Sequence, residues 1–265
     1  MQGGNKTTSM KSKKLILYLS VLYFYICIAI FAYAGDHKTE TYVYLGHIDN
    51  NIKIGMCLTF NDNILEGKYY YKKYLVDIPI DGFAQPDRTF VLYERDSNGN
   101  IVAEFKGYFP DSDPLKRFRG KLDREIMMGV WKKPGIRDKS FSLTINHGGT
   151  GASIYGYSPE DEEIIEKQAQ RYWHAVLSDN KYVVSEYYSF PLAGIAKGGR
   201  KIKIRNKIAF ISMYHKLFSS DFKNCIKDSD PKYGVSRWDG ISFGCVWFSY
   251  DSGNKKLEVI NPTWF

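Results

Sequence analysis

A chain of 265 residues with 37 Lys and Arg against 29 Asp and Glu carries a formal charge of +8, a balance that invites a nucleic-acid reading. Residues 1–34 hold Lys6, Lys11, Lys13 and Lys14 and no acid, so 33 basic against 29 acidic residues leave +4 on the rest. Nucleic acid needs a concentrated basic surface; half of this basicity sits in the N-terminal segment, and no nucleic-acid partner is expected.

That segment has the three-part build of a secretory signal. Met10-Lys11-Ser12-Lys13-Lys14 is basic, Leu15 to Ala34 is an uncharged apolar run, and Ala32-Tyr33-Ala34 is an A-x-A cleavage pattern. Translation is expected to start at Met10 rather than Met1. The competing reading is an uncleaved anchor, because residues 15–34 match the roughly 20 residues of a membrane span. The chain is therefore expected outside the cytoplasm, periplasmic or secreted, with inner-membrane anchoring as the alternative. Membrane contact is expected only through a retained N-terminal segment.

From residue 35 to 146 short aromatic and β-branched runs alternate with Asn, Asp and Gly turns. YVYLGHI (42–48), IKIGMCLTF (52–60), ILEGKYYYKK (64–73), LVDIPIDGF (75–83), TFVLYER (89–95), IVAEFKGYF (101–109), RFRGKL (117–122), IMMGVWKK (126–133) and SFSLTI (140–145) read as strands. Asn98-Gly99 is the strongest hairpin signal among the turns. Eight or nine strands with short connections predict an antiparallel meander closed into a barrel, since closure removes exposed edges. Tyr69-Tyr70-Tyr71 puts rings on both faces of the sheet, one in the core and one wet or ligand-stacking. Residues 147–157, with Gly148, Gly149 and Gly151, read as a linker; they do not fit G-x-G-x-x-G, and no phosphate-binding Lys-Ser/Thr follows.

The period then changes. Ser158-Pro159-Glu160-Asp161 is a helix start, and Ile165, Ala169, Tyr172 and Val176 form its apolar stripe, with Gln168 a polar exception. A shorter helix follows Asp179-Asn180 and ends before Pro191. Lys201-Ile202-Lys203-Ile204-Arg205 alternates as a strand with one basic face. Asn206 opens a helix with Ile208, Phe210, Tyr214, Leu217 and Phe218 on one side, and Ser219-Ser220 opens another. Runs 242–250 and 256–264 read as two closing strands.

Residues 240–244, Gly-Ile-Ser-Phe-Gly, match the G-x-S-x-G elbow of serine hydrolases. An elbow needs a helix after Ser242 and a His later in the chain. An alternating strand follows instead, and His215 is the last histidine. No catalytic residue is assigned, although Asp239 as an acid or base and His174 or His215 as a base are the enzymatic alternatives. The histidines show no H-x-H or H-E-x-x-H spacing, so neither metal nor cofactor is expected. Tyr172, Trp173, Tyr188, Tyr214 and Trp238 are candidate pocket-lining aromatics, with a filled core as the alternative. Lys201, Lys203 and Arg205, within a run of six cations from Lys197 to Lys207, are a candidate surface for an anionic partner, or a solubilising edge strand. No C-x-x-C occurs; Cys225 and Cys245 are expected to pair and Cys57 to be a buried thiol, with three core thiols as the alternative.

The run Trp238-Asp239-Gly240-Ile241-Ser242-Phe243-Gly244-Cys245-Val246-Trp247-Phe248, with Tyr188 to Leu192, Ile204 to Phe218 and Val259 to Asn261, resembles NTF2-like (cystatin-like cone) domains of bacterial envelope proteins. The first half is similar to Gly/Tyr-rich barrel-like repeats of secreted bacterial proteins. The expected order is thus a signal peptide (1–34), an antiparallel β-barrel (35–146), a linker (147–157) and an α+β NTF2-like domain (158–265). NTF2-like folds include enzymes, carriers and interaction domains. The expected function is a non-catalytic binding protein engaging an envelope protein, of inhibitor or immunity type. The alternatives are a small-ligand carrier using the barrel or cone cavity, or an NTF2-like enzyme.

Overall fold

The structure, a computed structural model, describes residues 39–110, 124–196 and 200–260, without the side chains of residues 150, 194–196, 200 and 201. The segment read as signal or anchor and the RFRGKL run lie outside the described residues. Among the described residues no helix is long and apolar enough to cross a membrane.

Eight antiparallel strands close into a barrel: β1 Glu40–Ile48, β2 Ile52–Asn61, β3 Ile64–Tyr71, β4 Ile78–Ala84, β5 Thr89–Arg95, β6 Ile101–Tyr108, β7 Ile126–Lys132 and β8 Lys139–Thr150. Each pairs with its sequence neighbour, and β8 returns to β1. Strand alternation sends Tyr44, Met56, Leu58, Phe60, Tyr69, Leu92, Phe105 and Leu143 inward, all at 0–1% exposure. Each such side chain contributes roughly 1.5–3 kcal/mol of burial, and an eight-stranded interior is just wide enough for side chains to fill. Asn98-Gly99 lies inside a five-residue loop rather than forming a two-residue turn. The Asp96 carboxylate accepts from the Asn98 and Asn100 amides, and Gly99 takes φ +83.

β8 runs on into the segment read as a linker. Gly148 and Gly149 pair with Tyr42 and Thr41 of β1. Gly148 does not break the strand: it makes room for a ring, since a Cβ there would lie 2.2 Å from Tyr42 Cδ1. Asn146 is the extra residue of a bulge opposite Val43 and Tyr44.

The α+β part begins with α1 Pro159–Leu177, capped by Ser158 Oγ accepting from the Asp161 amide at 3.2 Å. Its stripe Ile165, Ala169, Tyr172 and Val176 is 0–2% exposed. Gln168 on its edge acts as a surrogate strand: its Oε1 accepts from Leu257 N at 2.9 Å and its Nε2 donates to Lys255 O at 2.7 Å. It thereby pairs the free edge of β14 Lys256–Ile260, last in a four-stranded sheet after β11 Val235–Arg237, β12 Gly240–Phe243 and β13 Val246–Asp251.

The remaining elements are α2 Lys181–Val184, a 3-10 turn Ser185–Tyr187, a hairpin of β9 Leu192–Ala196 and β10 Arg200–Ile204, α3 Lys207–Leu217 and α4 Ser220–Asp228. On α3 the buried face is Phe210, Tyr214 and Leu217, and Ile208 is 79% exposed. Two helical positions before Phe210 is a rotation of about 200°, which puts Ile208 on the opposite side. The run 242–250 is two strands, not one. Phe243 pairs with Val246, so Gly244-Cys245 forms a two-residue hairpin turn with Gly244 at φ +63.

Candidate functional site

The five candidate aromatics do not line one pocket. Tyr172, Tyr188 and Tyr214 are core residues at 1%, 5% and 0% exposure. The Tyr172 and Tyr188 hydroxyls are 2.8 Å apart, and Tyr172 meets Phe248 edge-on at 5.2 Å. Trp173 is half-buried and donates to Ile226 O. Trp238 stands 97% exposed at the β11–β12 turn, where a ring at the tip of a two-residue connection has nothing above it. Lys203 and Arg205 are exposed; the Lys201 side chain lies outside the description. His174, His215 and Asp239 are exposed on separate elements. Cys225 and Cys245 form a disulfide with Cα atoms 6.3 Å apart, and Cys57 is a buried thiol whose pKa burial pushes up to about 12. Among the described residues no group of three or more His, Cys, Asp or Glu could hold a metal ion.

In GISFG both glycines have steric reasons. A Cβ on Gly244 would lie 2.2 Å from Ser229 Cβ, and Gly240, at φ +149, has Phe248 O 2.5 Å from where its Cβ would be. Ser242 is exposed toward solvent through its hydroxyl, which donates to Gly244 O at 3.1 Å.

What the sequence did not suggest is a charged clasp between the barrel wall and the α+β part. The disulfide ties α4 to the Gly244-Cys245 turn, fixing where residues 229–234 begin. Tyr233 then takes φ +51, unusual for a bulky residue, and this turn lays Lys232 and Tyr233 on the outer face of β1–β3. Val43, Cys57 and Tyr70 form that face and are 0–7% exposed beneath Tyr233. Tyr70 meets the Tyr233 ring at 5.3 Å and lies over Gly55, where any Cβ would strike its hydroxyl at 2.4 Å. The middle ring of the tyrosine run is therefore dry, as is Tyr69, which inside the barrel donates to Glu94 at 2.7 Å and stands 3.3 Å from the hydroxyl of the half-buried Tyr71.

Lys232 is 5% exposed. Its Nζ lies 2.8 Å from Asp77 Oδ1 and 2.9 Å from Glu166 Oε2, with the Tyr70 and Tyr233 rings at 5.5 and 5.2 Å. Asp77 also accepts from the Tyr233 hydroxyl and Lys68; Glu166 also accepts from the Tyr155 hydroxyl and the Tyr233 amide. Burial opposes the Lys232 charge, but Glu166 and Asp77 outweigh it and hold its pKa above the ordinary lysine value. For Asp77 burial is outweighed by Lys232 and Lys68, so its pKa falls. For Glu166 burial wins over Lys232 and its pKa rises; Asp230 rises for the same reason.

Two clefts flank the clasp. One, of about 430 Å³, is lined by His47, Lys53, Asp230, Lys232 and Ser242 among others. The other, of about 740 Å³, is lined by Cys57, Asp77, Glu162, Glu166 and Lys232 among others. Chemically the arrangement holds charge rather than presenting it: the ammonium is saturated by two carboxylates and two ring faces. The only sequence signal for it was Glu166, an acid directly beside the apolar stripe of α1. No protein-family model, curated protein or solved structure matches the chain.

Proposed function

We propose that this chain is an exported, non-catalytic binding protein whose α+β part, an NTF2-like cone, engages a protein partner in the cell envelope in the manner of an inhibitor or immunity protein. The observation that carries the reading is Trp238. A Trp 97% in water at a turn beside Gly240 offers a large aromatic side chain, the residue type that dominates protein interfaces. Arg237 and Asp239 beside it supply the polar rim, and Ile208 and Tyr182, 79% and 61% exposed, add apolar surface to the same part.

The cone reading is supported by a four-stranded meander with α1 packed on its inner face and the β9–β10 hairpin preceding α3. Tyr172, Tyr188, Phe210 and Phe248 fill the space a cone ligand would take, which weighs toward surface binding. Export rests on the basic, apolar and A-x-A segments of residues 1–34.

The test is capture from an envelope extract of the source organism with the wild-type chain and with Trp238→Ala, followed by titration of the captured protein. Loss of a central aromatic anchor costs about 2–4 kcal/mol, an affinity drop of roughly 30-fold or more. Melting temperature is expected to stay unchanged, because Trp238 supports nothing in the fold. Equal affinity of the two proteins would remove Trp238 from the interface and this reading with it.

A further inference from the structure

At the end of the barrel where β1 turns into β2 and β3 leads to β4, a cavity of about 550 Å³ opens to solvent. Its apolar wall is Ile52, Tyr71 and Tyr74; its charged wall is Lys53, Lys72 and Lys73, and no acid lines it. Lys72 N donates to Lys53 O at 2.9 Å, so two of the lysine stems start from adjacent backbone positions. Lys72 Nζ donates to Asp228 O at 2.9 Å, which uses one of its three protons, and Lys73 Nζ stands 5.3 Å over the Tyr74 ring. Among the described residues no carboxylate lies within ion-pair distance of these three ammoniums, whereas Lys232, which shares a cleft with Lys53 and Lys72, is paired. Burial and the neighbouring Lys53 charge hold the Lys72 pKa below the ordinary lysine value, although Asp230 and Asp228 oppose that.

The walls are fixed. Leu75 takes φ +57 and packs against the clasp, its amide and that of Tyr74 both donating to Tyr71 O. That turn holds Tyr74 outward at 64% exposure. The volume falls in the range of small-molecule sites, which are apolar with a few placed polar groups.

We propose that this cavity binds a small anionic amphiphile, with its aliphatic or aromatic body on Ile52, Tyr71 and Tyr74 and its carboxylate, phosphate or sulfate among Lys53, Lys72 and Lys73. An anion there offsets the repulsion of three adjacent cations while its body covers exposed apolar surface. The site is independent of Trp238 and of any protein partner.

The experiment is calorimetric titration of the purified chain with decanoate, decanol and decyltrimethylammonium, each below its micelle concentration, in low and high salt. Decanoate is expected to bind at least about tenfold tighter than decanol, and the cation not to bind. The decanoate advantage should shrink in high salt, because Lys53 and Lys73 are solvent-facing and screened. Lys53→Gln/Lys73→Gln and, separately, Tyr74→Ala should each weaken decanoate by about tenfold or more without moving the melting temperature; these side chains are exposed. Equal binding of decanoate and decanol, or an unchanged constant in the double variant, overturns the site. A parallel arm uses phosphatidylglycerol and phosphatidylcholine vesicles. Uptake by phosphatidylglycerol vesicles with no binding of monomeric decanoate would overturn the free-ligand assignment in favour of a lipid surface.

Discussion

Lys232→Met removes the ammonium from the clasp while keeping most of its stem volume. The structure sets the magnitude. Lys232 is 5% exposed with two carboxylates at 2.8 and 2.9 Å, and Glu166, 8% exposed, would be left as a buried charge without a cation. Removing one partner of a buried ion pair costs about 3–5 kcal/mol. Part of that is relieved when Glu166 takes up a proton, which burial already favours. The sign follows: a carboxyl with a raised folded pKa makes the folded state bind protons more tightly, so the variant's deficit shrinks as pH falls toward about 4.3. Urea unfolding of wild type, Lys232→Met, Glu166→Gln and the double variant, followed by tryptophan fluorescence, closes a double-mutant cycle. The expected coupling is about 2 kcal/mol or more, with the double variant less impaired than the sum of the singles. A Lys232→Met penalty under about 1 kcal/mol, or a coupling near zero, would show that the clasp contributes little and refute this account of the junction.

Two further outcomes follow. Gly244→Ala should destabilise by about 2–4 kcal/mol, because it combines a left-handed backbone with a clash against Ser229, whereas Ser242→Ala should stay within about 0.5 kcal/mol. Thermal unfolding separates them, and comparable losses would contradict the steric reading of GISFG. Acid should unfold the chain. Asp77 is held low although burial opposes it, through Lys232 and Lys68; Asp161 is lowered to about 2 by Lys255 and Tyr250. Lowered carboxylates give stability that is present above the unfolded value near ~3.9 and lost as pH falls through the folded one. Circular dichroism from pH 5 to 2 should show this loss, flattened in Asp161→Asn; an equal slope in that variant would falsify the assignment.

The alternation of the barrel strands and the capped start and stripe of α1 were readable from residues 42–60 and 158–176 because each signal is local. The turn at Gly244-Cys245 was not, since Ser-Phe-Gly-Cys-Val-Trp keeps a strand's composition across it and only a pairing partner shows the reversal. Gly148 looked like part of a linker because a ring lying over a glycine leaves no mark in the sequence. Gln168 looked like a flaw in the stripe, though its amide is placed to finish a sheet 89 residues away. The clasp draws Asp77, Glu166 and Lys232 from three distant segments, and nothing along the chain links them. Trp238 was expected to line a pocket and stands in solvent instead, because exposure depends on what stands above a turn and not on the residue.

The dry outer face at Val43, Cys57 and Tyr70 has a consequence for biogenesis. The eighth barrel strand ends at residue 150, but the barrel's cover, Tyr233, is made 83 residues later. At about 5–20 residues per second that is a delay on the order of 4–17 seconds. A barrel that closes before that segment docks carries an uncovered apolar strip and a thiol.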